Sequence, residues 1–395
     1  MKIGITLNTS FKSFFSNGHV FNVYLWYSFL TNCGFDCYFL IEKKEVSFQL
    51  SGGIDGNGTD GNINMCSDNY KYLNFSDLWN TNDNNEKTTL KSDYKEKYPE
   101  LLNFDFVFFI GTYDSAYHEL LNINNIKLIY VVLGNVFMND VHSLINDCKI
   151  ENIGSNLFFS ELWISPHFKY SKEYCKIRYK SDNVFICPYF WKDDLLVDGN
   201  NNIKCNPLPI TYNLPELKLN VAIMEPNINH CKNALIPIYI CEKVEKYIKY
   251  IKIFNTEHKK NNEFLRSFLM NTELFKNGKL TVESRWPITH VLSNYCNCVI
   301  SFVDNCDLNY IYFECFYLGV PLIHNSVMLK DYGYYYPNLD INKGAEQILN
   351  VLHNHNKEEY IKKHKPILEK YSIYNPSYIA WTKARLNNDI SYDCE

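Results

Sequence analysis

Short apolar runs alternate with helix-like stretches from the first residues of the chain. Residues 2–7 predict a strand, residues 20–33 an amphipathic helix with Phe21, Leu25 and Phe29 on one face, and residues 35–41 a second strand. Gly34 stands where a helix commonly ends in the left-handed conformation. Because a strand, a helix and a strand in succession form a crossover unit, this opening predicts a parallel sheet.

The same pattern returns after a polar stretch and completes a first domain. Residues 45–95 are rich in Gly, Asn, Asp and Ser, which predicts a flexible insertion with little fold content. Mostly apolar runs at 104–110, 127–133, 156–165 and 183–188 predict further strands of a sheet that is covered on both faces. The polar, proline-bearing residues 200–209 are the best candidate for a linker.

A second α/β domain is predicted beyond that linker. Strands are predicted at 219–224, 251–254, 280–283 and 298–303, with helices at 231–248, 264–275, 287–294, 348–355 and 357–370. We therefore expect an α/β protein of two Rossmann-like, doubly wound domains (1–205 and 210–370) that face each other across a cleft. A helix in residues 371–395 is expected to return to the first domain. Ligands of such sheets bind at the carboxyl ends of the strands, where the strand order reverses.

Composition narrows the class of protein without naming its chemistry. The 395 residues are too many for one ordinary core and suit two domains, and 46% hydrophobic residues are enough to fill both. The net charge of −5 argues against a dedicated nucleic-acid binder, which usually has a basic domain. The 14 cysteines, several of them within apolar runs, are too dilute for a disulfide scaffold and favour a reduced, cytoplasmic protein.

The pattern contains neither targeting nor metal-binding signals. The first residues predict a strand, so we expect no signal peptide, and no run of about 18 apolar residues predicts a membrane span. Cys296, Cys298 and Cys306 lack the paired spacing of a structural zinc site. No P-loop, GxSxG, HExxH or GxGxxG motif occurs, and no Asp-x-Asp pair lies in a suitable context. We therefore expect no metal and no bound cofactor.

The most informative segment covers residues 305–326. An apolar strand precedes it, Glu314 lies on a helix within it, and Gly319 and Pro321 lead into another apolar strand. This E-x4-G-x-P spacing resembles that of two-domain sugar transferases, in which such a glutamate binds both ribose hydroxyls of a nucleotide. Because the flanking helix residues are apolar, a carboxylate among them needs a partner. An ordinary solvated glutamate is the alternative.

The loop before that helix supplies further candidates for donor binding, namely Asn305, Asp307, Asn309 and Tyr310. Backbone N–H groups at the start of a helix can donate to phosphate or to sugar hydroxyls. Related retaining enzymes often carry a second glutamate eight residues before the ribose glutamate, where this chain has Cys306. The role of the loop in sugar binding is therefore open, and Asp307 could instead cap the helix.

Charged and polar side chains follow other predicted strands of the second domain. Arg285 lies between a strand and a helix, where its charge would neutralise a departing diphosphate without a metal. A surface ion pair is the alternative for Arg285. Lys232 could be a second phosphate ligand, and Glu225 and Asn227 directly follow a buried strand. Helix capping and ordinary surface roles are equally open for these three residues.

Two further groups of candidates lie at predicted strand ends. Asn17, Gly18 and His19 stand between the first strand and the first helix, where glycine permits close approach of a phosphate or an acceptor. His19 could orient an acceptor hydroxyl or act as a base, although a loop histidine is usually only solvated. In the second domain, His324 and Asn325 follow the Gly-x-Pro strand and are expected to face the cleft.

From residue 219 onward the chain resembles DUF2827, a bacterial family of uncharacterised proteins with the look of GT-B glycosyltransferases. The residues that carry the resemblance are 225–227, Lys232, 283–285, 308–312, 319–326 and 331–337, together with 17–18 and 163–167 in the first domain. The resemblance implies a nucleotide-sugar donor, such as a UDP- or GDP-hexose, bound in the cleft. It also implies transfer of the hexose to a glycan or protein with retained stereochemistry. Arg285 and Lys232 would then bind the diphosphate.

Two other functions stay open. The chain could be a glucosyltransferase that acts on a modified DNA base, although its acidic net charge disfavours DNA as a partner. It could also be a catalytically inactive protein that binds nucleotide sugars. Such a protein would keep Gly319 and Pro321 but lack the cations.

Overall fold

A computed structural model describes residues 1–7, 18–41, 71–74, 79–81, 87–90, 103–112, 124–146, 159–197, 202–210, 217–227 and 230–394, with single residues 96, 99, 118 and 121. The chain divides into two compact units. The first contains Met1–Phe190 and Ile373–Glu395, and the second contains Trp191–Ser372. The boundary therefore precedes the predicted linker, whose described residues belong to the second unit.

A parallel sheet of seven strands forms the centre of the first unit. Its strands are β1 (Lys2–Leu7), β2 (Asp36–Ile41), β3 (Tyr72–Asn74), β6 (Phe106–Ile110), β7 (Lys127–Val132), β8 (Glu161–Ile164) and β9 (Val184–Ile186), and their order is β3-β2-β1-β6-β7-β8-β9. A separate antiparallel pair consists of β4 (Trp79–Thr81) and β5 (Lys87–Leu90). Every residue of β6 is buried, as expected for a parallel strand with both faces covered.

The stretch from 45 to 95 contributes more to this sheet than its polar composition predicts. Leu73 and its neighbours in β3 pair in register with Phe39, Leu40 and Ile41 of β2. Tyr72 is nonetheless exposed, because β3 is an edge strand and needs little apolar surface. Within the continuous ranges that the structure describes, the helices of this unit before the boundary are α1 (Gly18–Asn32), α2 (Val136–Ile145) and α3 (Lys172–Tyr179).

The second unit is built on a parallel sheet of six strands. They are β10 (Leu219–Ile223), β11 (Ile248–Ile253), β12 (Leu280–Val282), β13 (Cys298–Ile300), β14 (Leu322–His324) and β15 (Tyr334–Tyr335), in the order β12-β11-β10-β13-β14-β15. The helices are α4 (Leu235–Lys243), α5 (Glu263–Met270), α6 (Glu273–Lys276), α7 (Ile288–Asn294), α8 (Tyr310–Leu318), α9 (Ile341–Asn354) and α10 (Lys357–Lys370). The two parallel sheets with helices confirm the predicted α/β class.

Several boundaries differ from the predicted ones for local reasons. The helix predicted over 231–248 is only α4, since Ile248 already begins β11. The helix predicted over 264–275 is two helices, because the Thr272 hydroxyl caps α6 by accepting the N–H of Phe275 at 3.2 Å. The Asp340 carboxylate caps α9 and accepts the N–H of Lys343, so this helix begins before residue 348.

The aromatic stretch 331–336 contains the edge strand β15, which pairs with β14. Gly319 ends α8 with φ of 70°, a conformation that favours glycine. A Cβ at this position would lie 2.6 Å from Cγ of Lys357. No helix within the described ranges is long and apolar enough to cross a bilayer.

The last helix, α11 (Pro376–Leu386), belongs to the first unit. The ring of Trp381 packs edge-on against Trp163 of β8 at 5.1 Å. Arg385 binds both carboxylate oxygens of Glu161, with distances of 2.6 and 2.9 Å, and the indole of Trp163 donates to the same carboxylate at 2.7 Å. A buried, fully hydrogen-bonded ion pair therefore joins the C-terminal helix to the central sheet.

We expect Arg385→Met to destabilise the first unit by about 3–5 kcal/mol, because it leaves the carboxylate of Glu161 buried without a counter-ion. Urea unfolding followed by tryptophan fluorescence measures the loss, since Trp163 and Trp381 lie beside the pair. Lys71→Met is the matched control. Its ion pair with Asp36 is exposed (61% and 42%), and exposed ion pairs contribute little to stability because water and salt screen them. Equal losses in the two variants would contradict this account.

Candidate functional site

The strand order of the second sheet reverses between β10 and β13. The chain moves from β10 outward to β11 and β12, and then returns to place β13 on the other side of β10. The loops that leave β10 and β13 therefore diverge at the carboxyl edge, which is where doubly wound sheets bind ligands. Glu225 follows β10 and Ser301 follows β13, so both lie at this switch point.

Glu225 forms the centre of a buried hydrogen-bond network. Its carboxylate accepts the hydroxyl of Ser301, and the hydroxyl of Tyr312 donates to Ser301 Oγ at 2.8 Å. Tyr336 donates to the backbone carbonyl of Ser301, also at 2.8 Å. Burial raises the pKa of Glu225 to about 7, although the Ser301 hydrogen bond and the charge of Lys232 oppose that rise. Glu225 is only 1% exposed, and its hydrogen bond to Ser301 joins the two loops at the switch point.

The loop after β13 is held firmly to its neighbours. The side-chain amide of Asn325 donates to the carbonyl of Val303 at 2.7 Å and accepts its N–H at 2.8 Å. The N–H of Asp304 donates to the carbonyl of Cys231 at 2.8 Å. Asn305, at φ of 50°, then turns the chain through the left-handed region. The position of the loop is thus set before any ligand binds.

The start of α8 lacks a side-chain cap. Asn309 is the residue before the helix, and its side chain makes no capping hydrogen bond, while Tyr310 is the first helical residue. Asp307 does not cap the helix; its carboxylate accepts the N–H of Val327 at 2.7 Å and joins the loop to the end of β14. The predicted alternative for Asp307 is therefore wrong, and the helix terminus keeps its attraction for anions.

Glu314 lies within α8 and is 7% exposed. Its carboxylate has no hydrogen-bond or ion-pair partner among the residues that the structure describes, and desolvation raises its pKa to about 7. A buried carboxylate without a partner is costly, and two hydroxyl donors would relieve that cost. Glu314 is therefore the strongest candidate for direct contact with a ligand.

Two cations lie on the same carboxyl edge. Arg285 follows β12, is exposed, and makes no ion pair or hydrogen bond within the described parts of the chain. Lys232 follows β10, with its backbone bridged to Val303 and its ammonium beside the thiol of Cys306. Since β11 separates β10 from β12, the two strand ends lie about 10 Å apart. Long side chains from both could approach one diphosphate.

Two other predicted donor ligands serve the fold itself. The amide of Asn227 donates to the carbonyl of Glu225 and to the hydroxyl of Thr256, and its oxygen accepts the N–H of Ala234. His324 is fully buried; its Nε2 donates to the carbonyl of Tyr332 at 2.9 Å and its Nδ1 accepts the N–H of Ser326. Burial lowers the pKa of His324 to about 4, so the ring is neutral at pH 7.

In the first unit, the corresponding reversal lies between β1 and β6. Gly18 begins α1 and is exposed. His19 follows it, with Nε2 2.5 Å from the carbonyl oxygen of Ile110 and 3.2 Å from Oγ of Thr112. Burial lowers the pKa of His19, which favours the neutral ring that a base requires. Asn17 lies outside the described residues.

Sequence reasoning missed Ser301, which donates to Glu225, and Tyr312, which donates to Ser301. Both were treated as parts of an apolar strand and an apolar helix, where a single hydroxyl carries little signal. The position of Ser301 at the end of a buried strand was the available clue. Within the described ranges, no group of three or more His, Cys, Asp or Glu side chains could hold a metal ion.

Comparison with known proteins identifies the family. A family model described as "Protein of unknown function (DUF2827)" matches residues 101–386. The chain belongs to the DUF2827 family. This membership confirms the resemblance seen in the sequence. The curated proteins contain no match to this DUF2827 chain.

Several solved structures share the fold of this DUF2827 chain. HepE from Anabaena, solved with UDP and glucose, has a TM-score of 0.58 at 9% identity over 99% of this chain and 100% of its own. A glycosyltransferase from Rickettsia africae has a TM-score of 0.56 at 12% identity over 98% of each chain. BGT of T4 phage, solved with its UDP-glucose substrate, has a TM-score of 0.52 at 12% identity over 98% and 100%. At such identities the likeness shows the fold, which is that of GT-B glycosyltransferases with two Rossmann-like domains.

The raised pKa of Glu225 predicts a pH dependence of stability. The pKa of Glu225 is about 7 in the folded protein and 4.5 ordinarily, so the folded state favours the protonated side chain. The contribution of Glu225 to the free energy of unfolding is therefore fully present below pH 4.5 and is lost as the pH rises through about 7. In the wild type this loss lowers the free energy of unfolding at pH 8 by on the order of 3 kcal/mol. Glu225→Gln, whose amide oxygen can still accept from Ser301 but cannot ionise, should not show it. Thermal unfolding midpoints between pH 4.5 and 8 measure this effect. The exposed Glu346→Gln should keep the wild-type profile, and an unchanged profile in Glu225→Gln would contradict the assignment.

Proposed function

We propose that this DUF2827 protein is a glycosyltransferase that moves a hexose from a nucleoside diphosphate donor, UDP- or GDP-linked, to a glycan or protein. The observation that carries the proposal is Glu314, a buried carboxylate without a described partner beside an uncapped helix start at the switch point. Ribose offers two adjacent hydroxyl donors that would satisfy this carboxylate. The shared fold with HepE and T4 BGT, each solved with UDP-glucose or its parts, supports the same class of donor.

The proposed reaction breaks the bond between the anomeric carbon and the diphosphate oxygen, which leaves with the electron pair. The acceptor hydroxyl attacks the same face of an oxocarbenium-like centre and passes its proton to the departing phosphate oxygen, so that stereochemistry is retained. Arg285 and Lys232 stabilise the growing negative charge, a role that needs no metal. The N-terminus of α8, with Asn305, Asn309 and Tyr310 around it, is the proposed seat of the diphosphate or the sugar.

His19 is proposed to contact the acceptor side, and Gly18 to allow close approach to it. Glu225, Asn227, Asp307, His324 and Asn325 are proposed to act through the loops whose positions they fix. The chain's net charge of −5 disfavours DNA as the acceptor. A protein that binds donors but never hydrolyses or transfers them would instead be an inactive relative.

Thermal unfolding with UDP-, GDP- and dTDP-sugars, combined with assays of donor hydrolysis, tests the function directly. We expect one nucleotide class to raise the unfolding midpoint, since a ligand present at 100 times its Kd stabilises by about 2.7 kcal/mol. The same donor should be slowly hydrolysed without an acceptor. If no nucleotide sugar shifts the midpoint, the transferase proposal fails.

Glu314→Gln should weaken binding of that donor roughly 10- to 100-fold, because it replaces hydrogen bonds to a charged acceptor by weaker ones. Isothermal titration calorimetry measures the change. Glu369→Gln, an exposed glutamate of α10 in the same unit, is the matched control and should bind as wild type. Equal affinities for Glu314→Gln and the control would remove Glu314 from the donor site.

Arg285→Met should lower kcat about 10²- to 10³-fold, and the donor's Kd much less, because the charge it stabilises grows in the transition state. Steady-state kinetics with the donor identified above, together with direct binding measurements, separate the two quantities. Arg285→Lys keeps the positive charge and should recover part of the rate. A variant that loses affinity and keeps its kcat would show that Arg285 binds only the ground state.

A further inference from the structure

Two neighbouring segments of the first unit expose much apolar surface. Among the described residues, the most exposed large hydrophobic side chains are Tyr170 (90%), Ile177 (81%), Leu144 (79%) and Ile145 (72%). All four lie either on α2 or on α3 and the 3-10 turn before it. Of the ten residues of α2, only Val136 is buried. We call the surface of residues 136–145 and 166–180 the α2–α3 face.

The two helices of this face lie side by side. The ring of Phe137 on α2 packs edge-on against Tyr174 on α3 at 5.4 Å. One turn further along, the carboxylate of Asp140 accepts from Nε of Arg178 at 2.7 Å and from the hydroxyl of Tyr174 at 2.6 Å. Leu144 lies one turn beyond Asp140 on the same side of α2. The exposed apolar side chains of both helices therefore belong to one surface.

Basic residues alternate with the apolar ones along the second segment. Tyr174 and Ile177 lie one turn apart on α3, and Tyr170 lies on the 3-10 turn that leads into it. The cations Lys169, Lys172, Lys176, Arg178 and Lys180 lie between and beside them. An amphipathic helix with basic flanks is typical of a segment that lies in the interface of a membrane. Long lysine side chains can keep their charge at the headgroups while apolar neighbours enter the acyl boundary.

The charges of the face leave a small positive surplus. Three cations of the segment form ion pairs: Arg178 with Asp140, Lys176 with Glu173, and Lys172 with Asp393. The exposed Lys169 and Lys180 have no ion-pair partner in the described parts of the chain. These two lysines leave two unpaired positive charges, and the negative charge of Asp182, just beyond the segment, reduces the surplus to one. The face is thus weakly cationic on a chain whose net charge is −5.

We propose that the α2–α3 face docks the protein on the surface of a lipid bilayer that contains anionic lipids. Tyr170, Ile177, Leu144 and Ile145 enter the interface, and Lys169 and Lys180 contact the phosphate headgroups. This inference goes beyond the proposed transfer of a sugar and does not depend on it, because the face is defined without reference to any donor residue.

Co-sedimentation of the full chain with lipid vesicles tests the proposal. Binding to vesicles of phosphatidylcholine with phosphatidylglycerol should exceed binding to phosphatidylcholine alone by about fivefold, which one surplus cation supplies. The double variant Leu144→Glu and Ile145→Glu should weaken binding to both kinds of vesicle by at least about tenfold. Phe264→Glu with Met270→Glu, two exposed residues of α5 (65% and 57%), is the matched control and should bind as wild type.

A second double variant, Lys169→Ala with Lys180→Ala, should reduce binding to the anionic vesicles and leave binding to the neutral ones unchanged. Circular dichroism and the unfolding midpoint check that each variant folds. If the double variant Leu144→Glu and Ile145→Glu (the α2 pair) does not fold, the double variant Tyr170→Ser and Ile177→Ser replaces it. The proposal is overturned if wild type fails to sediment with vesicles, or if the α5 control loses as much binding as the α2 pair. Analytical ultracentrifugation gives a further outcome that overturns it. If the wild type is a dimer that does not bind vesicles, and the double variant Leu144→Glu and Ile145→Glu is a monomer, the face is a protein interface.

Discussion

The hydrogen bond from Ser301 to the buried carboxylate of Glu225 joins the ends of the two central strands of the second sheet. Tyr312 extends the same network into α8, and the charge of Lys232 acts on Glu225 from the neighbouring loop. A carboxyl group that is 1% exposed is costly unless it is hydrogen-bonded, so the network constrains where both loops leave the sheet. The network thereby helps to position the start of α8, through Tyr312, and the loop that carries Lys232, whose backbone is bridged to Val303.

Glu225 and Glu314 show how one residue type serves two purposes in one unit. Burial raises the pKa of each to about 7. Glu225 is hydrogen-bonded within the protein, whereas Glu314 has no partner among the described residues. Burial disfavours the ionised form of both side chains, but hydrogen bonds within the protein satisfy Glu225, whereas Glu314 is the candidate for a ligand, as is common for strongly perturbed groups at functional sites. Arg285 repeats the contrast, because Glu283, two residues before it, pairs with Lys252, and Arg285 makes no ion pair within the described parts of the chain.

The fold likeness at 9% and 12% identity indicates which features the architecture requires. Parallel strands need continuous apolar runs and a strand order that reverses at one point, and many sequences meet those demands. The chemistry is set by a few residues at the reversal. Cys306, the position eight residues before Glu314, lies with its thiol beside the ammonium of Lys232.

The sequence by itself determined the fold class and the order of most elements, because buried parallel strands require apolar runs that are visible without a structure. It also indicated Glu314, since a single carboxylate in an apolar helix stands out. The edge strands β3 and β15 could not be predicted, because an edge strand is stabilised by pairing with its neighbour and not by its own apolar pattern. Only the tertiary structure decided which polar residues are used within the fold. Asn227, Asp307 and His324 resemble ligand residues in the sequence, yet each is hydrogen-bonded within the fold. Asn227 is bonded to Thr256 and Ala234, Asp307 to Val327, and His324 to Tyr332 and Ser326. Hydrogen bonds of this kind depend on how strands are ordered in space, which a linear pattern of residue types does not contain.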